Sequence, residues 1–559
     1  MLFAVKKVLS APAIKHGTTP AVLYLLMFCL LTWPLCLKFN THFFADAGDG
    51  LQNVWNLWWV NLAVRHPDLY PSVWQTPLLH WPFGVTLIGQ TLNPFNGYVA
   101  VVLLQFLSLT AAHNTIVVSA FVLGGLTTYW LAFYVSRSFW GSIIAGFVFT
   151  FSSYHFMHAE GHLQCVSLEW IPLFVLCWYV LITRPSATAG TFAAIVFWLV
   201  LLCDYYYFVY CILAAILIIA WYAFVRRDAW LIVRMEYRLP VAAFMAVALS
   251  LTGPIVSHLL LTNYNDPLIG AHDPTLYSLD FLALIIPGGH WLFNQWTRFY
   301  WSRLPGNINE SSVYLGLSVY VVLVYLWMRR RALDPEARRA LSLWFVTMAL
   351  FILLALGPGL QVAGNVLWSK VMPYTLLTGV LPFMQLSGVP VRMMVMVTLC
   401  ASVLCAIGFR ELFRQFPGKR TLTVVLLVVL VFETLPRPLP ATRVEIPEYV
   451  IVLAGLPDDG GVLELAASGP ELLLYYQTVF RKPIVFGFVS RLPTSVNKKD
   501  ERLAATIGEG DYRKLLNTYH IRYVVTRQSI EGEPGNLCLK TVYDKDDVWI
   551  YRLQDKCEP

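Results

Sequence analysis

Phe43–Trp59 reads FFADAGDGLQNVWNLWW, and this stretch decides what kind of chain this is. Two carboxylates, Asp46 and Asp49, stand in a glycine-punctuated turn behind the first hydrophobic run. After them Leu51, Trp55, Trp58 and Leu62 recur at i, i+4, i+7 and i+11, a helical period with one apolar face, while Gln52, Asn53 and Asn56 fall elsewhere. Tryptophan belts of this kind gather at the headgroup level of a bilayer. An amphipathic helix with such a face lies in the interface instead of crossing it. The stretch therefore holds two acids just above a membrane. Asp49 is also placed to cap the helix that follows, a role compatible with catalysis.

The composition outside this stretch agrees. Of 559 residues, 57% are hydrophobic and 13% charged, which marks a polytopic α-helical membrane protein and not a string of soluble domains. The net charge of +7 is not a nucleic-acid footprint, because Lys and Arg gather in short loops as the positive-inside rule expects. Lys6, Lys7 and Lys15 precede a run at about 21–37 that lacks a small-residue cleavage site, which reads as a retained signal-anchor with a cytoplasmic N-terminus. Further apolar runs at 115–136, 140–157, 167–183, 187–203, 206–225, 239–261, 313–328, 340–356, 391–409 and 420–435 bring the expected spans to about eleven. Tyr98–Ala112 is too short to cross, and making it a span would put Arg137 and Arg184 outside. The outer loops, 38–114, 158–166, 262–312 and 357–390, then carry the acids, histidines, prolines and tryptophans.

From Pro436 the composition changes. PRPLPATRVEIPEY is a proline-rich linker, and VLELA, IRYVVTR and DDVWIYRL read as short strands between helical segments. The expected division is a transmembrane domain, 1–436, with interfacial helices in its first outer loop, and a small extracytoplasmic α/β module, 437–559. Cys538 and Cys557 are able to pair there if the compartment is oxidising.

The candidate site residues lie in the outer loops. Asp46 and Asp49 come first, as acids able to activate an acceptor hydroxyl. In SSYHFMHAEGHLQ, 152–164, His155, His158 and His162 fall at i, i+3 and i+7 with Glu160 alongside. Three imidazoles and a carboxylate invite a zinc reading, but Gly161 weakens the helix and there is no H-E-x-x-H. Pyrophosphate or sugar contact is the preferred reading, no metal ligand set is assigned, and a divalent cation stays an option. Glu310 in INESSVYLG is either part of a helix cap or a ligand to substrate hydroxyls. Arg392 in SGVPVRMMVM either snorkels to the interface or clamps a lipid phosphate, and Lys370 in the preceding loop supplies a second cation. Asp204, between two apolar runs, is a weaker candidate. There is no G-x-x-x-x-G-K-[ST] and no dinucleotide glycine fingerprint, so an activated donor is expected from the membrane itself.

FFADAGDGLQNVWNLWW, GHLQCVSLEWIPL (161–173), NESSVYLG (309–316) and the Arg392 stretch together resemble the GT-C superfamily of integral-membrane glycosyltransferases, in an uncharacterised bacterial branch. The likeness runs over most of 20–435, without the W-W-D signature of oligosaccharyltransferases. It implies a polyprenyl-phosphate-linked sugar donor, a glycan, lipid or protein acceptor, and a plasma-membrane (inner-membrane) protein with an extracytoplasmic C-terminus. Asp49 or Asp46 would then be the base, with His158, Glu160, His162, Glu310, Lys370 and Arg392 binding substrate. Two rivals stand beside it: a secondary transporter or lipid flippase, which predicts mid-span charges and internal repeats, and a non-catalytic scaffold presenting the C-terminal module.

Overall fold

The computed structural model describes residues 14–225, 235–415, 418–530 and 538–555. Cys538 is disulfide-bonded, and Cys557 lies outside the described residues. Each of the eleven apolar runs contains a helix. Among the described residues, five helices are long and apolar enough to cross a membrane: Leu109–Ser136, Tyr205–Phe224, Met235–Asn265, Pro335–Ala355 and Pro390–Arg414. Lys15–Leu31, Trp170–Thr183 and Ala187–Cys203 are shorter apolar helices. So is Pro94–Leu103, whose ten residues make a rod of about 15 Å, half the thickness of a hydrocarbon core. The chain forms two compact units.

The first unit gathers Met1–Lys38, Thr115–Ile255 and Ala271–Pro440. Its axis is the Met394–Arg414 helix, buried at every position from Met394 to Phe409. A helix apolar all round has no face to give to water or lipid, so it becomes a core element. Small residues let neighbours close on it. Ala406 packs with Ala132 and Ala145, and a Cβ on Gly141 would meet the Ala406 carbonyl at 2.5 Å. Polar side chains set the helix ends. Ser138 accepts from the Gly141 N–H, and Asp334 accepts from the Ala337 N–H. Buried Glu433 caps Leu317–Arg329 from another helix, accepting from the Leu317 and Ser318 N–H groups at 2.9 and 3.0 Å and from the Tyr314 and Ser318 hydroxyls. Gly316, at φ +103°, makes the turn into that helix in a conformation few side chains tolerate.

The second unit gathers Phe39–Asn114, Val256–Gly270 and Ala441–Pro559. Its mixed sheet runs in the order Gly461–Glu464, Ile521–Thr526, Val548–Leu553, Leu539–Lys545. The first pair is parallel and the other two are antiparallel. One face packs on Leu503, Leu515 and Leu516. The other packs on Val450, Leu474 and Phe480 together with Trp55, Trp59 and Val60 of the Asp49–Arg65 helix. That helix differs from its expectation. Gln52, Asn53 and Asn56 are as buried as Trp55 and Trp59, so it is an enclosed core helix and not a one-faced interfacial one. Its polar residues find partners inside: Gln52 donates to the Thr91 hydroxyl, Asn56 to the Thr91 carbonyl and Asn53 to the Asp49 carbonyl. Gln477, fully buried, completes the join. Its amide donates to the Leu78 and Lys482 carbonyls at 2.7 and 3.0 Å and accepts from the Trp55 indole at 2.8 Å.

Replacing Gln477 by Ala strands the Lys482 carbonyl and the Trp55 indole N–H in a dry core and leaves the Leu78 carbonyl with the Ile484 N–H alone. The expected loss is about 2–4 kcal/mol, read as a lowered melting temperature and faster proteolysis of the 441–530 segment.

Candidate functional site

In the first unit a buried group of four side chains is assembled from three separate segments. Asn307 caps the short Ile308–Ser311 helix by accepting from the Glu310 N–H at 2.8 Å, which fixes the Glu310 backbone. Arg392 sits in the Pro390–Met393 turn that leads into the central helix. His158 ends the Ser153–His158 helix, itself capped by Ser152, and His162 follows one turn later. Arg392 donates through Nε and Nη2 to a single oxygen, Glu310 Oε1, at 2.9 and 2.5 Å. Both residues are buried, so this is a charge pair in a low-dielectric setting, where removing one partner is far more damaging than at a surface. The other oxygen, Glu310 Oε2, lies 3.6 Å from His158 Nε2. Among the described residues, neither of those two atoms has a hydrogen-bond partner. His158 and His162 meet through their Nδ1 atoms at 2.9 Å, and Tyr154 packs edge-on against His158. The Arg392 guanidinium also lies over the Tyr206 ring, 5.6 Å from its centroid.

Burial alone would push the Glu310 carboxyl up. Arg392 and then His158 outweigh it and hold the group at about 2. The sign follows: the folded value is depressed, so this carboxylate's contribution to stability is complete above its ordinary 4.5 and is lost as pH falls towards 2.

Ligand atoms of His158, His162 and Glu310 all lie within 4.8 Å of one another. Two imidazoles and a carboxylate suit a divalent transition ion, and the unpartnered His158 Nε2 and Glu310 Oε2 are a donor set such an ion would satisfy. The residues present fit a metal.

The other expected site residues make their bonds outside this group, although Asp204 lies within electrostatic reach of Arg392 and Glu310. Glu160 forms a bidentate pair with Arg437, with Nε–Oε1 at 2.8 Å and Nη2–Oε2 at 2.5 Å. Arg437 was read only as part of a proline-rich linker, and nothing local in PRPLP marks it as the partner of an acid 277 residues earlier. His155 turns away from the other histidines. Both its ring nitrogens face backbone carbonyls, of Thr150 and Val166, and its ring stacks on Phe121 at 3.9 Å. Lys370 is exposed, over the Trp368 ring at 5.4 Å. Asp204 caps the Tyr205–Val225 helix, accepting from the N–H groups of Tyr206 and Tyr207.

Asp46 and Asp49 belong to the second unit, and both are half-buried. The expected capping role of Asp49 falls to Asp46, whose Oδ1 accepts from the Gly48 and Gly50 N–H groups at 3.0 and 2.9 Å. The reason is steric. The turn folds so tightly that a Cβ on Gly50 would meet Ala45 Cβ at 2.5 Å, and this brings the earlier acid onto the first helical amides. Asp49 is the first residue of the helix, with Gly48 at the N-cap position.

Residues 21–433 match a family model described as "Domain of unknown function (DUF6311)". No curated protein matches the chain. Among solved structures, the arabinofuranosyltransferase AftD from Mycobacteria is 15% identical at a TM-score of 0.55, over 97% of this chain and 40% of that one. This chain thus spans about 40% of AftD's length. ArnT from Cupriavidus metallidurans, bound to undecaprenyl phosphate, is 13% identical over 97% of this chain and 100% of that one, with a TM-score of 0.48. The oligosaccharyltransferase AglB from Archaeoglobus fulgidus, with an inhibitory peptide and a dolichol-phosphate, is 10% identical over 90% and 69%, at 0.47. The fold of this chain is that of GT-C glycosyltransferases.

Glu310→Gln leaves a buried guanidinium facing a neutral amide, and is expected to destabilise the protein by roughly 3–5 kcal/mol. The double variant Glu310→Met, Arg392→Met should recover most of that loss. Thermal unfolding of the two purified proteins checks both statements.

Proposed function

Because the chain belongs to the family described as "Domain of unknown function (DUF6311)" and has the GT-C fold, we propose that it is a membrane glycosyltransferase. It moves a sugar from a polyprenyl-phosphate carrier to a glycan, lipid or protein acceptor on the extracytoplasmic face. In this reading about eleven helices cross the plasma membrane, with the N-terminus cytoplasmic, and residues 437–559 stand outside as an α/β module.

The observation that supports it is the buried group of Arg392, Glu310, His158 and His162. A polyprenyl-phosphate donor leaves as a phosphate, and the reaction needs a fixed positive charge where that negative charge grows. Two of the Arg392 nitrogens are held by Glu310, which locks the guanidinium plane. Among the described residues its Nη1 takes no hydrogen bond, so that edge is available to a phosphate oxygen. His158 and His162 contact the sugar or the phosphate. Arg437, fixed by Glu160, adds a second cation to the same unit, and the exposed Lys370 meets the carrier's phosphate at the membrane surface.

Asp49 is the base. It takes the acceptor hydroxyl's proton, the acceptor oxygen bonds to the anomeric carbon, and the bond from that carbon to the phosphate oxygen breaks, releasing polyprenyl phosphate. One displacement inverts the anomeric centre. Asp46, committed to two backbone amides, positions the turn that carries Asp49. A divalent cation held by His158, His162 and Glu310 would supply further neutralisation of phosphate charge.

In a deletion strain, envelope glycans profiled by mass spectrometry should lack one hexose or pentose. Asp49→Asn, made at normal levels, should fail to restore it, whereas Asp46→Asn should reduce the amount of folded protein first. Restoration of the full profile by both variants at normal protein levels would remove these acids from the reaction. A chelator supplies a separate check. If the metal acts, transfer by purified protein falls at least about tenfold with EDTA and returns with added Mn²⁺ or Zn²⁺.

A further inference from the structure

A cavity of about 510 Å³ opens at the opposite end of the central helix from Arg392. Arg410 follows Arg392 by 18 residues, so the two ends lie about 27 Å apart, close to the thickness of a hydrocarbon core. Three of the five long apolar helices end at this cavity: Leu109–Ser136 and Pro390–Arg414 at their C-termini, and Pro335–Ala355 at its N-terminus. Trp140, 61% exposed, lies two residues beyond the lining residue Ser138. An exposed tryptophan beside three helix ends marks headgroup depth.

Five charged residues line the space, and their partners separate them into two kinds. Arg410 and Asp334 form the wall. Arg410 reaches Asp334 at 3.1 Å, Glu411 at 3.0 Å and the Ser136 carbonyl at 3.2 Å, which uses its whole fork. Arg137, Arg414 and Glu336 are different. Arg137 lies over the Tyr134 ring at 5.0 Å and, among the described residues, pairs with no carboxylate. Its backbone is left-handed at φ +56°, a conformation rare for a side chain of this size. Arg414, 61% exposed, shares Glu411 with Arg410 at 3.2 Å. Glu336 has no cationic partner among the described residues. Val135 and Phe413 add apolar surface between them.

A site offering guanidinium groups and one uncommitted carboxylate is matched by a ligand carrying a phosphate ester and an ammonium group together. We propose that this cavity holds the phosphoethanolamine head group of a membrane phospholipid, with the phosphate on Arg137 and Arg414 and the ammonium on Glu336. The membrane supplies such a group at this depth, and basic pockets between transmembrane helices hold lipid head groups by the same chemistry. The apolar strip of Val135 and Phe413 takes the glycerol end. The proposal is independent of the transferase reading, since no residue of the Arg392 group takes part.

The test uses the full chain in detergent, offered phosphatidylethanolamine, phosphatidylglycerol or soluble glycerophosphoethanolamine. Native mass spectrometry counts retained lipid, and thermal shift reads protection. Phosphatidylethanolamine should be retained over phosphatidylglycerol by about fivefold, the worth of one partly exposed ion pair. Arg137→Gln with Arg414→Gln should lower its retention by about tenfold. Glu336→Gln should remove the preference for ethanolamine and keep phosphate binding, and gel filtration of each variant confirms a folded protein. Equal retention of the two lipids by the unaltered protein overturns the ammonium assignment. Retention untouched by the double arginine variant overturns the site. Protection by the soluble ester at the same concentration as the lipid overturns the membrane as the source.

Discussion

One ion pair sets the terms for the first unit. Arg392 enters the interior because its turn leads into a helix with no exposed face, and a guanidinium buried without a partner would be prohibitive. Glu310 meets that requirement from the short Ile308–Ser311 helix, held by the Asn307 cap. Both guanidinium bonds fall on one carboxylate oxygen, so the second oxygen is left facing His158. The group thus follows from the requirement that a buried charge be paired, with an unfilled valence left on the side away from the pair.

The two ends of the central helix show how much burial changes such pairs. At Arg410 the guanidinium spreads over two carboxylates and a carbonyl, and its contact with the 46% exposed Asp334 contributes about 1 kcal/mol or less. At Arg392 the same chemistry is dry, and its disruption is several times more damaging.

Local patterns were legible in the sequence, and distant pairings were not. Each apolar run gave a helix, because hydrophobic length and period are properties of a short window. Glu310, His158, His162 and Arg392 each stood out singly, as polar groups at the ends of apolar runs, yet nothing in their spacing joined them across more than 200 residues. The Asp49–Arg65 helix was misread for a related reason. A tryptophan face looks the same whether lipid or protein covers it, and what covers Gln52 and Asn56 here is a segment from 90 onwards together with the C-terminal sheet. The exchange of capping roles between Asp46 and Asp49 turned on how closely Gly50 approaches Ala45, a backbone distance that no residue type announces.

The Trp55–Gln477 bond spans 422 residues, and it has a meaning for how the chain is made. At a translation rate of 5–20 residues per second, the first loop waits roughly 20–80 s for the strand and helix that complete its core. Throughout that interval its tryptophans and buried amides are without their partner. The newborn loop therefore stays uncovered until then, and a ribosome stalled before the last segment leaves behind a sticky, protease-sensitive intermediate. The second unit is in this sense finished last, by the same polypeptide that began it.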